Sequence, residues 1–107
     1  MATFGEFLRA ERNKKGLNQS EFGQPFGIIM TEISKIENGR KKFPFTSLVA
    51  LAKFLGQNYS ELKNLYVADK LVEEAHKYEC SDAVFTVAES QSKYLKSKNV
   101  KQGKIKF

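Results

Sequence analysis

The 107-residue sequence holds one Cys, one His, two Pro and no Trp. A single Cys cannot close an intrachain disulfide, and it fits a reducing compartment better than a secreted scaffold. One His and one Cys also fall short of a structural zinc site, which generally takes about four ligands. No apolar run approaches the roughly 18 residues that would span a bilayer. The opening MATFGEFLRAER carries charge within its first dozen residues and lacks the apolar stretch of a signal peptide. The expectation is a soluble, cytoplasmic protein with no membrane partner. There is no Gly-rich phosphate loop, no Ser/His/Asp signature and no zinc spacing. No enzymatic activity, cofactor or metal is therefore expected.

What is present is 41% apolar and 12% aromatic residues, enough to exclude a generally disordered chain and to build one core. The net charge of +6 is unevenly spread. Residues 1–42 hold 8 basic and 5 acidic groups, residues 43–80 hold 4 and 5, and residues 81–107 hold 6 and 2. Two basic ends around a neutral middle point to a polyanion partner; the alternative is that basic termini only keep the chain soluble.

No segment alternates β-branched residues between turn signals, so the fold is expected to be all-α. Phe4, Phe7 and Leu8 mark a first helix over 4–15 that Gly16 ends. Asn18 caps a second over 19–26, with Phe22 and Phe26 on one face and Gly27 as its stop. Ile33 and Ile36 face inward from a third, 30–37, closed by Asn38-Gly39. Pro44 suits the first turn of a fourth helix, 45–55, apolar at 48, 51, 52 and 55. Asn58 caps a fifth that starts at Tyr59 and runs to Tyr78, with more apolar positions in its second half than one stripe needs, so that half is expected to bury two faces. A sixth, from Val84 with Ser81 as N-cap, is its natural partner; one continuous helix through 78–81 is the alternative. Three segments result: 1–66, a helical extension 67–96 and a basic flexible tail 97–107.

GLNQSEFG at 16–23, Gly27 and ISKIENGR at 33–40 stand in a register that resembles the Cro and phage-repressor type of helix-turn-helix regulator, the xenobiotic-response-element-like class. The resemblance covers residues 4 to about 66. It implies a five-helix DNA-binding domain whose third helix enters the major groove of double-stranded DNA. It implies base reading by Met30, Thr31, Ser34 and Lys35: Lys35 can donate to guanine, Thr31 and Ser34 suit several bases, and Met30 can rest on a thymine methyl. Glu32 can accept from a cytosine amino group or repel a wrong register. Asn18 and Gln19 at the second helix, with Arg40, Lys41 and Lys42 after the third, are the implied phosphate contacts. Arg12 and Glu37 match positions that form a structural ion pair. A bacterial or phage origin goes with the class.

Three positions depart from that pattern. Ile29 stands where a Ser or Thr would cap the recognition helix, so either Thr31 caps a later start or the helix begins less firmly. Pro25 falls in the last turn of the second helix and shortens or distorts it. Glu11 occupies a commonly apolar position.

Past residue 66 the resemblance ends. Leu71, Val72, Ala75, Val84, Phe85 and Ala88 are the candidate homodimer contacts, and dimerisation would place two recognition helices about 34 Å apart on a palindromic site, as in a repressor. The alternative is that the sixth helix covers the fifth of its own chain. A second function follows from another class, in which the C-terminal helices bind a different protein while the N-terminal domain regulates its own promoter, as in antitoxins and restriction–modification controllers. His76 and Cys80, four apart with Glu73 nearby, have metal-like spacing but too few ligands. Asn58-Tyr59-Ser60 fits a glycosylation pattern that a cytoplasmic chain would not use.

Overall fold

The computed structural model describes residues 2–101, and side chains as far as residue 98. Among the described residues there are six α-helices, two 3-10 turns and no strand. The α-helices are α1 (Phe4–Lys14), α2 (Gln19–Gly23), α3 (Met30–Glu37), α4 (Leu48–Leu55), α5 (Tyr59–Lys77) and α6 (Ala83–Lys101). The chain divides into two units, Met1–Lys70 and Leu71–Phe107. None of the helices is long and apolar enough to cross a membrane.

Local chemistry explains where the helices of the first unit start. Thr3 accepts from the Glu6 N–H while Glu6 accepts from the Thr3 N–H, a reciprocal capping box. Asn18 and Glu21 repeat the device at α2, and Asn58 accepts from the Glu61 N–H at α5. The Phe4 N–H, in the first turn of α1, is bound by Asp69 of α5 at 3.0 Å. That bond joins the two ends of the unit.

Two expected helices begin or end differently. Helix α2 stops at Gly23, and Gln24–Phe26 winds as a 3-10 turn containing Pro25, because proline has no N–H to continue the α pattern. Ahead of α4, Phe45–Ser47 is likewise a 3-10 turn with Pro44 preceding it, so Pro44 lies outside the α-helix rather than in its first turn.

The core of the first unit draws on every one of its helices. Phe4, Leu8, Phe22, Ile33, Ile36, Phe43, Leu48, Leu51, Leu55, Leu62 and Tyr66 are buried together. Phe22, Phe26 and Phe54 form a tilted and edge-on aromatic triangle with centroids 5.6–5.9 Å apart, and Phe43 joins it through Phe26 at 5.5 Å. The Tyr66 O–H donates to the Phe43 carbonyl, which pins the 40–44 loop to α5. Burial pushes the Tyr66 phenol above its ordinary value, and Lys42 partly opposes that.

Glycine lets backbones touch at two points. A Cβ on Gly23 would lie 2.0 Å from the Ile28 carbonyl oxygen, and one on Gly5 would lie 2.5 Å from that of Ile36. Both contacts are with backbone, which cannot step aside as a flexible side chain would.

The second unit differs. Its helices are not one continuous rod: α5 ends at Lys77 and α6 starts at Ala83, beyond Ser81 and directly after Asp82. Glu79 takes a left-handed φ of 55°, and the Cys80 N–H bonds back to the Ala75 carbonyl at 2.9 Å while the Glu79 N–H bonds to His76. This is a Schellman stop built without glycine. Ala75 is buried, and Val84 and Phe85 are half-buried, but Leu71, Val72, Tyr78, Val87, Tyr94 and Leu95 are exposed. The expectation that the second half of α5 buries two faces is thus not met within one chain. Helix α6 continues to Lys101, past Lys96 where the apolar period fades; residues 102–107 of the expected tail lie outside the described residues.

Candidate nucleic-acid interface

Helix α3 has one inward and one outward face. Ile33, Ile36 and Glu37 are buried. Met30, Thr31 and Lys35 are exposed, and Ser34 is half-buried between the two faces. Ile29 and Met30 present an apolar tip, 67% and 53% exposed, where the helix begins. Thr31 does not cap a later start: the helix opens at Met30, and Ile29 supplies only its carbonyl, which accepts from the Glu32 and Ile33 N–H groups at 3.0 Å. No side chain caps this end.

The other end of α3 is held by charge. The Glu37 side chain is fully buried and accepts from Arg12 Nε at 2.7 Å and Arg12 Nη2 at 3.1 Å, from Gln19 Nε2 at 3.1 Å and from Arg9 Nε at 3.4 Å. Arg12 also donates to the Leu17 carbonyl, and Arg9 to the Asn38 side chain at 2.8 Å. Burial pushes the Glu37 carboxyl upward, but the bonds from Arg12, Gln19 and Arg9 outweigh it and hold the group below the ordinary carboxylate range. The Arg12 guanidinium is correspondingly raised by its bond to Glu37. One carboxylate therefore ties α3 to α1 and to the start of α2.

The helix then stops in a Schellman turn built on glycine. Gly39 adopts φ 77°, and the Arg40 N–H bonds to the Lys35 carbonyl at 2.8 Å. A residue with a Cβ would be strained there, so the Asn38-Gly39 pair sets the direction in which RKK leaves the helix. Arg40 and Lys41 are exposed and Lys42 is half-buried. Lys41 turns back: its Nζ lies 2.7 Å from Glu32 Oε2, and Lys35 Nζ lies 3.9 Å from Glu32 Oε1. The bond from Lys41, reinforced by Lys35, holds the Glu32 carboxyl below its usual range. The carboxylate borders a shallow groove of about 190 Å³ formed with Ile28, Ile29, Ile36 and Pro44.

The sequence-derived positions thus fall into two sets. Met30, Thr31, Ser34, Lys35, Arg40 and Lys41 gather around the outer face and C-terminal turn of α3. Asn18 and Gln19 are otherwise engaged: the Asn18 side-chain oxygen caps α2 at 2.8 Å, and the Gln19 side-chain nitrogen points to Glu37. Arg9 and Glu11 carry structural roles that periodicity did not indicate. Glu11 is buried, paired with Lys14 at 2.9 Å and bonded by Gln57 at 3.2 Å, which anchors α1 to the turn before α5. His76 and Cys80 no longer share a helical face, since Cys80 lies beyond the end of α5. Among the described residues no three of His, Cys, Asp and Glu group as metal ligands.

An all-helical unit with a short α2, a tight turn and a polar-faced α3 is the layout of a helix-turn-helix DNA-binding domain. The chain belongs to the helix-turn-helix domain family, which matches residues 5–67, and within it to the Cro-type class that the 16–40 motif resembles. No curated protein and no solved structure matches the chain.

Proposed function

We propose that the protein is a sequence-specific transcriptional repressor that binds a palindromic operator as a homodimer, with α3 in the major groove. The supporting observation is the division of α3 into a face locked by Ile33, Ile36 and Glu37 and a face that presents Met30, Thr31 and Lys35. On this reading Thr31, Ser34 and Lys35 read base edges and Met30 rests on a thymine methyl. Arg40, Lys41 and Lys42 neutralise phosphates at one end of the helix; of Asn18 and Gln19, whose side chains cap α2 and bind Glu37, the phosphate contact left is the Gln19 backbone N–H. The residues that dimerise are Leu71, Val72, Ala75, Val84, Phe85 and Ala88 of the 67–96 extension, where Leu71 and Val72 are 54% and 40% exposed and Val84 and Phe85 are half-buried. Two copies would also supply the contact area that a single module lacks.

Selection of bound sites from a random duplex library tests this. The expected result is a two-fold symmetric site. Lys35→Ala should relax one base position in each half-site and cost about 1–3 kcal/mol. Enrichment of no sequence overturns the reading.

The exposed apolar residues of the second unit also favour a different partner, another protein held by α5 and α6 as in an antitoxin or restriction–modification controller. Light scattering separates the two readings. A dimeric mass that Leu71→Asp reduces to a monomer supports self-association, whereas a monomer at every concentration favours the heterologous partner.

A further inference from the structure

The recognition helix carries one carboxylate on its partly open flank, Glu32, and it is placed against its own helix's function. A negative charge beside a groove-binding helix opposes the phosphates. Glu32 nevertheless engages two of the cations assigned to the interface. Lys41 Nζ sits at 2.7 Å and Lys35 Nζ at 3.9 Å from its two oxygens. Lys41 is half-exposed, whereas Glu32 is more than two-thirds covered and its Oε2, the oxygen that faces Lys41, is buried beside the groove flanked by Ile28 and Pro44. The neighbouring Arg40 is tied to the helix by its backbone N–H, which donates to the Lys35 carbonyl.

We infer that Glu32 is a specificity-determining residue that acts by withholding Lys41 from DNA phosphates until α3 is fully seated. The inference rests on the DNA-reading role proposed above. In a loose encounter the phosphates stay at solvent-separated distance and are screened over about 8–10 Å, so they do not displace a 2.7 Å pair. In the seated complex a phosphate reaches the 40–42 turn and exchanges with the carboxylate. Lys41 then contributes counterion release only on the operator. Glu32 thereby lowers non-specific affinity more than specific affinity, and the ratio of the two is what finds a site among competing DNA.

The test measures binding of the full chain to its selected duplex and to a random duplex across a salt series. The variants are Glu32→Gln, Glu32→Asp, Lys41→Met and the Glu32→Gln/Lys41→Met pair. Each phosphate neutralised contributes about −0.9 to the slope of log K against log salt, or roughly eightfold in affinity at 0.1 M salt. Glu32→Gln should therefore steepen the random-duplex slope by about one and tighten that binding about eightfold, with a smaller gain on the selected duplex. Glu32→Asp, whose shorter side chain keeps the charge but loses the reach to Lys41, should steepen the slope as well. In the Lys41→Met background Glu32→Gln should leave the slope unchanged. Equal tightening on both duplexes, or a gain in slope that survives Lys41→Met, overturns the inference. So does loss of affinity for one base position in Glu32→Gln, which would make Glu32 a base reader. If the unaltered chain shows no preference for any duplex, the DNA-reading proposal itself fails, and that outcome is distinct from all of these.

Discussion

Helices of the first unit and of the second stop by the same hydrogen-bond pattern but with different residues at the left-handed position. Gly16, Gly27, Gly39 and Gly56 occupy it up to Lys70, whereas Glu79 occupies it after. Burial differs in the same sense. The first unit encloses a continuous core from Phe4 to Tyr66, while the second buries Ala75 and leaves Leu71, Tyr78 and Tyr94 more than half exposed. One unit encloses its apolar side chains within its own core; the other leaves several of them exposed. On the proposed function, the enclosed unit is the one that reads DNA and the exposed apolar surface is the one that meets a second copy.

The largest expected break in that contrast comes from the ion-pair network. Arg12→Ala leaves a buried carboxylate with only Arg9 and Gln19, and should cost the first unit about 3 kcal/mol or more. At roughly 4–8 °C per kcal/mol for a domain of this size, its melting temperature should fall by more than about 10 °C. Acid should act through the same group. Because the folded Glu37 carboxyl is held below its ordinary value, its contribution is complete above the unfolded value of about 4.3 and disappears as pH falls through the lower folded value. A thermal-unfolding series from pH 6 to 2 should show this loss, with a shallower acid limb in Glu37→Gln. An unchanged limb would mean that the carboxylate is not the titrating group.

Gly23→Ala comes next. Its added methyl must displace the Ile28 backbone, and overpacking of this kind costs about 1–3 kcal/mol. Denaturant titration should find the first unit weakened by that amount. A neutral result would show that the turn between α2 and α3 can open without penalty.

The smallest effect sharpens the contrast from the other side. Glu79→Gly removes a left-handed side chain that costs about 1 kcal/mol, so the second unit should gain roughly that much. Slower amide exchange at Glu79 and Cys80 would register the gain, and faster exchange would show that the Glu79 side chain stabilises the turn.

The helix count and the inward face of α3 were legible in the sequence, because apolar period reports directly on which side of a helix is buried; the Arg12–Glu37 pair was implied only by the resemblance to Cro-type regulators. The breaks at Gly16, Gly39 and Gly56 were legible for the same local reason. The capping boxes at Thr3–Glu6 and Asn18–Glu21 are written in the sequence as Thr-x-x-Glu and Asn-x-x-Glu, of which the Asn18 cap alone follows a glycine stop that marks the helix start. Long-range features were not legible. The bond of Gln57 to Glu11, that of Asp69 to the Phe4 N–H and the need for no Cβ at Gly5 join residues whose proximity no periodicity encodes. Gln19 shows the limit most clearly. A Gln opening a helix invites an outward role, but the tertiary fold brings Glu37 within 3.1 Å and claims its amide.

The Glu37 anchor has a consequence for how such a protein diversifies. Everything that aims α3 lies on its hidden side, in Ile33, Ile36 and the carboxylate shared by Arg9, Arg12 and Gln19. Substitutions at Met30, Thr31 or Lys35 leave that mounting untouched, so if these side chains read bases as proposed, a lineage, or a designer, can exchange that surface as one changes a key's teeth while keeping its shank.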